Sequence, residues 1–304
     1  MLIEIFYWFL NMNLIASLVG LIILLIRSIK VIPRRFAVFL WLPPFLRMVL
    51  PVSIGNPLSL VGILSPYAIK TLAFMSGGPV PLYYSNGIVL ADSYDTFRIT
   101  NQVVSNIFYV CGTVWLVVSV ILVLLFTLMY LWNLNSFRKA KHLFDNVYES
   151  KNVSVPVVIG VFYPKIVLPV GYPKQKLKYA LDHEKNHIRK ADNLWRLIAI
   201  YTVLIHWFNP FCWLMLKYFL LDMEMACDER CIAHYTESER DDYMNILLSG
   251  LSSKSVFASS FGGSKIGRRL ENIVGFRSIT FCSSFCFVLF IVVTIFFLSM
   301  NGTV

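Results

Sequence analysis

The sequence predicts an α-helical membrane protein that carries one smaller α+β domain, and three observations lead there. Hydrophobic residues fill 57% and charged residues only 14% of the 304 positions, with a mean hydropathy of +0.67, far from the averages of soluble chains. Four apolar stretches, 5–26, 36–60, 103–132 and 281–300, reach the roughly 20 residues that cross a bilayer. Between the third and fourth, residues 137–280 are polar enough to fold as a domain in water. The net charge of +10 does not imply a nucleic-acid partner, because the basic residues cluster beside the apolar spans as the positive-inside rule requires. Direct nucleic-acid binding is therefore not expected. The six cysteines lack the spacing of a secreted disulfide framework and read as buried thiols.

The elements follow in chain order. The opening MLIEIFYWFLN has an acid where a secretory signal would be basic and no small-residue cleavage site after it, so it reads as a retained first span. A short basic loop, 27–35, holds Arg27, Lys30, Arg34 and Arg35 and is expected in the cytoplasm. The second span is interrupted by Pro43-Pro44, Arg47 and Pro51, residues tolerated only where a neighbour or a cavity satisfies the freed polar groups. Arg47 either snorkels to the interface or faces the catalytic cavity. The loop 65–100 has Lys70 and Arg98 as its only bases and is placed outside. The third span returns the chain to Arg138, Lys139 and Lys141 in the cytoplasm. This divides the chain into three spans over 1–136, a cytoplasmic domain over 137–280, and a fourth span with a short extracellular tail over 281–304.

Within the domain, 153–160 and 161–168 are β-branched and aromatic, punctuated by Gly160 and Pro164, and read as short strands. The apolar stretch 197–221 is long enough to span, but a crossing there would place the downstream acids on the wrong side of the membrane. Two helices bent near Pro210 are expected instead, packed in the domain or dipped into the interface. Residues 249–265, rich in Ser and Gly, read as a flexible connection.

The chemistry concentrates at His183-Glu184-Lys185-Asn186-His187, which spells H-E-x-x-H in a helical segment. Positions i and i+4 share one helix face, so His183 and His187 can hold one metal while Glu184 activates the attacking water as general base. With five His and eight Glu in the chain, composition alone predicts about 0.002 occurrences of this pattern, which makes chance an unlikely author. The bland alternative is a solvated helix face between Lys178 and Arg189.

Catalytic zinc takes three protein ligands and keeps a fourth position open, so a third ligand is needed. On the acidic segment 221–229, Glu224 can ligate and Asp228, four residues on, can orient a liganding imidazole through a hydrogen bond. Asp222 and Glu229 are rivals for the ligand role, and Cys227 with Cys231 and His234 is a thiolate alternative. His206 is a candidate oxyanion donor or, preferably, a helix-packing histidine beside Trp207.

The series H-E-x-x-H, then His206-Trp207-Phe208-Asn209-Pro210, then Glu224-x-x-x-Asp228 after an apolar hairpin resembles the membrane metallopeptidases of bacterial β-lactam sensor-transducers, the BlaR/MecR antirepressors. The resemblance runs from the first span to the fourth and includes 161–166. It implies a gluzincin-like zinc metallopeptidase domain facing the cytoplasm of a multi-pass bacterial membrane protein. It also implies Zn2+ held by His183, His187 and Glu224, with Glu184 as general base and Asp228 as orienter.

Those receptors carry a penicillin-binding sensor after the fourth span, whereas this sequence ends at Val304, so a member without the sensor is expected, signalled through 65–100, the spans and their lipid, or a separate sensor protein. The resemblance nominates a cytoplasmic transcriptional repressor as substrate, or the chain itself along the flexible 252–269. Two alternatives stand beside this: a quality-control or CAAX-type processing peptidase, and a transducer that performs no proteolysis.

Overall fold

The computed structural model describes residues 2–28, 32–49, 102–252, 256–276 and 281–299. Its chain order is α1 (Leu2–Arg27), α2 (Arg34–Ala37), a 3-10 turn (Val38–Trp41), α3 (Leu42–Val49), α4 (Gln102–Ser136), β1 (Lys141–Phe144), β2 (Val147–Ser150), β3 (Val157–Ile159) and β4 (Lys165–Pro169). There follow α5 (Lys174–Arg189), α6 (Asp192–Ile205), α7 (Pro210–Ile232), α8 (Glu237–Ser252), α9 (Val256–Val274) and α10 (Phe281–Ser299). The described chain is thus mostly helical with one small sheet. Within α4, Asn106–Ser136 is the described helix long and apolar enough to cross a membrane; the apolar portions of α1 and α10, Met12–Arg27 and Ser283–Ile295, are shorter. The second expected span begins as α2, tightens to the 3-10 turn ahead of Pro43-Pro44 and resumes as α3. Its remainder and the loop 65–100 lie outside the described residues. Arg47 is buried, which removes the snorkelling alternative, and it does not line the cavity at His183, Glu184 and His187 either.

The helices α6 and α7 form the expected hairpin, and they share one core with α1, the 38–48 segment and α10. Ile15, Val19, Ile23, Leu40, Trp41, Val203, Met215, Phe219 and Ile291 meet there. The close approach of α1 to α7 depends on Gly20, since a Cβ in its place would stand 2.1 Å from Met215 Sδ. At the turn of the hairpin the exposed backbone groups need partners that an apolar surrounding does not supply. Asn209 caps α7 by accepting from the Phe211 amide at 2.9 Å, with Pro210 at the first helical position where no amide hydrogen is missed. The Asn209 amide nitrogen donates to Asn13 Oδ1 (3.0 Å) and Ser17 Oγ (2.8 Å). His206 Nε2 donates to the Met48 carbonyl at 3.0 Å, which leaves Nδ1 to accept from the Asn13 amide at 2.6 Å. Trp115 Nε1 and Ser119 Oγ on α4 donate to the Ile205 carbonyl at 2.9 and 3.2 Å, satisfying the last turn of α6.

The sheet runs in the order β1-β2-β4-β3, with β2 and β4 parallel and the other pairs antiparallel. The strands expected in 153–160 and 161–168 form as β3 and β4, shortened. The hairpin β1-β2 was not anticipated; it closes at Asp145, whose φ of 43° a short polar side chain tolerates. One sheet face, with Val147, Ile166 and Leu168 buried, packs on Leu177, Leu181 and Ile188 of α5. Each such side chain contributes about 1.5–3 kcal/mol on full burial.

Two expectations are corrected here. Residues 249–265 were expected as a flexible linker, but apart from 253–255, which lie outside the described residues, they belong to α8 and α9. Tertiary anchoring outweighs their low helix propensity: farther along α9, Arg269 is fixed to Asp228 and Ile273 is buried against Tyr179, Tyr235 and Tyr243. The cysteines are not uniformly buried either: Cys212, Cys227 and Cys231 are, whereas Cys111 and Cys286 are exposed on α4 and α10.

Candidate metal centre

The helix α5 is amphipathic in a way that serves three neighbours at once. Its Leu177, Leu181 and Ile188 stripe is spent on the sheet, Tyr179 joins the core beneath α7 and α8, and His183, Glu184 and His187 are left at the wall of a cavity. That cavity, about 580 Å3, is bounded by Ser154–Val158 on one side, the loop around Tyr172 on another, and Tyr243, Leu247 and Arg269 opposite.

Here the side chains singled out by the sequence come together. His183 Nε2 and His187 Nε2 lie 3.1 Å apart, and the two Glu224 oxygens stand 3.6 Å from the first and 3.8 Å from the second. Two imidazole nitrogens and one carboxylate drawn to a common point form a group able to hold a metal ion. Glu184 is buried beside them, and burial pushes its carboxyl above the ordinary range. Glu224 behaves oppositely: burial would raise it, but the hydrogen bond to His183 and the charge of Arg269 hold it well below the usual carboxylate value. It is an anion on offer to a cation.

The imidazoles are oriented from behind. Asp192 Oδ2 lies 2.7 Å from His187 Nδ1, which places the proton on Nδ1 and turns the Nε2 lone pair toward the shared point. Ala191 makes this possible by taking a left-handed backbone (φ 53°), turning the chain so that α6 starts with Asp192 facing back to α5. For His183 the partner is Tyr243, 2.8 Å from Nδ1, whose hydroxyl donates in turn to Asp228 Oδ1 at 2.6 Å. Asp228 itself stands 3.4 Å from His183 Nδ1, so its hydrogen-bonded route to the imidazole runs through Tyr243. Arg269 then fixes Asp228 with two 2.7 Å bonds and reaches Glu224 at 3.5 Å.

The rivals for the third position go elsewhere. Asp222 accepts a bidentate pair from Arg27 at 2.7 and 2.8 Å and a third bond from Trp41 at 2.8 Å. Glu229 accepts from the Arg34 and Arg35 amides, both at 2.9 Å. Cys227 and Cys231 do lie near the centre: with His183 they form a second group of possible ligands, whereas His234 is not among them and is exposed. His206 is buried at the tip of the hairpin, held by Asn13 and Met48, away from the cavity.

Asp192, Tyr243, Arg196 and Arg269 were not anticipated. Asp192 alone left a local signal, an acid five residues beyond His187 where a new helix begins; the others approach from distant helices and only the fold brings them in.

Three comparisons bear on identity. The BlaR1 peptidase M56 family profile matches residues 7–273. The regulatory protein BlaR1 of Bacillus licheniformis is 27% identical over 138 residues, 41% of this chain and 23% of that protein. The methicillin resistance mecR1 proteins of Staphylococcus aureus and Staphylococcus epidermidis are each 25% identical over 112 residues, 36% of this chain and 19% of theirs. The chain is thus matched to less than a quarter of the length of these relatives. With a match over most of its length and the H-E-x-x-H helix inside it, the chain belongs to the BlaR1 peptidase M56 family.

Proposed function

We propose that this chain is an integral membrane zinc metalloendopeptidase whose cytoplasmic domain cuts a transcriptional repressor within a signalling pathway. The single observation that carries the reading is the convergence of His183, His187 and Glu224 at the wall of a cavity, with Glu184 beside them. The donor set, two imidazole nitrogens and one carboxylate, fits zinc better than the oxygen-only sets preferred by calcium or magnesium. Bound there, zinc would polarise the scissile carbonyl and lower the pKa of the attacking water.

The chain supplies the rest. Glu184 takes the proton of the attacking water and returns it to the leaving amine, a role suited to a carboxyl raised by burial. Asp192 and the Tyr243–Asp228 pair keep both imidazoles aimed. The substrate backbone pairs with β3, the edge strand bordering the cavity; β4, the other strand considered from sequence, is interior to the sheet and has no free edge. Because 256–269 belong to a helix, an unfolded self-cleavage site there is no longer favoured.

The test is Glu184→Gln beside wild type, assayed with the candidate repressor encoded nearest the gene. Cleavage should fall by about 100- to 10,000-fold while zinc content stays equal, and a chelator should abolish wild-type cleavage. Equal cleavage by the two proteins discards the peptidase reading. Broad cleavage of misfolded membrane proteins, with the repressor untouched, would favour quality control instead. Signalling that survives Glu184→Gln would favour a transducer without proteolysis.

A further inference from the structure

The free edge of β3 is not entirely free. Asn193, in the first turn of α6, donates to two of its carbonyls, Val158 at 3.0 Å and Gly160 at 3.1 Å. Those carbonyls are two residues apart and therefore point to the same side of the strand. Gly160 ends the strand with a φ of 89°, and a Cβ there would sit 3.0 Å from the Tyr163 carbonyl, so the position excludes other residues. One turn along α6, Arg196 donates to Asn193 Oδ1 at 3.3 Å with one nitrogen and to Glu224 Oε1 at 3.2 Å with another. A continuous chain of polar contacts thus runs from the edge strand through Asn193 and Arg196 to Glu224. The neighbouring residue, Asp192, holds His187. Three side chains at the start of α6, Asp192, Asn193 and Arg196, therefore index the strand and two of the three possible metal ligands to a common frame.

The same pair also forms a wall. Val158, Asn193 and Arg196 line the catalytic cavity and, on their other side, a second cavity of about 330 Å3 closed by Phe126, Met129 and Tyr130 of α4. An extended peptide lying along Ser154–Val157, the segment that leads into β3, meets the Asn193 amide at Val158, where the pairing must stop.

We propose that Asn193 and Arg196 are positioning residues that set the register of an extended peptide substrate on β3 against Glu224, and that Asn193 ends the cleft. This rests on the peptidase reading above. Neither residue touches the reacting atoms. Their effect is geometric, and a misplacement of about 1 Å between substrate and catalytic groups is enough to slow a reaction about 100-fold. Lysine cannot replace Arg196, because one ammonium lacks the planar fork that reaches Asn193 and Glu224 together.

The experiment uses full-length protein in detergent or nanodiscs and a peptide library cut by the wild type. Asn193→Ala and Arg196→Lys should each lower kcat/KM by about 10- to 100-fold with zinc content unchanged. The double variant should be no slower than the worse single, since both interrupt one chain of contacts. Asn193→Ala should also accept larger apolar residues at the position that meets Val158, while Asn193→Gln, which keeps the amide, should recover part of the lost rate. Additive losses, losses that track zinc content, or an unchanged kcat/KM would overturn the proposal. If the wild type cuts no peptide at all, the peptidase reading falls, and the coupling is then read by hydrogen exchange. Arg196→Ala, which does not touch β3, should speed exchange over 157–160; unchanged exchange there would overturn the coupling as well.

Discussion

The hairpin α6–α7 meets histidines at both ends, its own His206 at the tip and His183 and His187 of α5 at the base, and the two ends use them differently. At the tip, both nitrogens of His206 are taken by the protein, one by Asn13 and one by the Met48 carbonyl. At the base, Tyr243 and Asp192 each take one nitrogen of His183 and His187, and the remaining pair face each other 3.1 Å apart with Glu224 close by. A histidine whose polar atoms are all spent on its neighbours builds structure. One with a nitrogen left over, aimed at other donors, is prepared to bind something. Both clusters are largely buried, so what separates their roles is whether a ring nitrogen is left facing other potential ligands.

The largest expected effect comes from emptying the tip. His206→Ala takes the His206 partner from the Met48 carbonyl and one of two partners from the Asn13 amide, which keeps the Phe9 carbonyl at 2.7 Å, at about 1–3 kcal/mol for a buried group left unsatisfied, with the lost packing of the ring in addition. Denaturant unfolding in detergent should register this, while the surviving folded protein binds zinc as before. Loss of zinc at unchanged stability would break the comparison. At the base the expectation is reversed. Asp192→Ala should leave the metal-free protein folded but weaken zinc about 10- to 100-fold in competition with a chromophoric chelator, the usual cost of losing a carboxylate behind a liganding imidazole. Unaltered affinity would mean that Asp192 serves α6 alone.

The smallest effect belongs to neither cluster and sharpens the contrast by its weakness. On the surface, Lys178 pairs with Glu239, and Glu239 also caps α8 by accepting from the Thr236 amide and hydroxyl. The Lys178 hydrogen bond, with those from Thr236, depresses the Glu239 carboxyl from 4.5 to about 2. A depressed carboxyl stabilises the fold fully above its unfolded value, and the contribution disappears as pH falls from 4.5 through about 2. Glu239→Gln should therefore lower the unfolding midpoint at neutral pH, only slightly for so exposed a pair, and the difference from wild type should close as pH falls through that acid window. A midpoint difference that grows toward pH 7 and vanishes in acid would be consistent, whereas one larger at pH 2 than at pH 7 would reject the assignment.

Legibility from sequence followed the range of the interactions. H-E-x-x-H is set by helix periodicity over four residues, and His183, Glu184 and His187 could be named from it. Choosing Glu224 over Asp222 and Glu229 needed more, because all three lie on α7 and contacts from Arg27, Arg34, Arg35 and Trp41, far away in sequence, decide which acids are taken. The linker expected at 249–265 was misread for a related reason: Ser and Gly state a local preference, and Arg269 answers to Asp228 on another helix. The hairpin β1-β2 escaped because its strands are four residues each and half of them exposed, leaving little alternation to read. Tyr243, Arg196 and Arg269 had no local signature at all.

Asp222 and Glu224 are two positions apart on one rigid rod, so they leave its axis about 200° from each other. The first is gripped by Arg27 and Trp41, at the C-terminal end of α1 and in the segment that follows; the second borders the candidate metal position. Torque applied by those segments cannot move one carboxylate and spare the other. A roll of about 10°, at a side-chain radius of about 5–6 Å, swings Glu224 by about 1 Å. A misplacement of about 1 Å is enough to slow a reaction about 100-fold, so any activity at this centre would answer through α7 to the segments that hold Asp222.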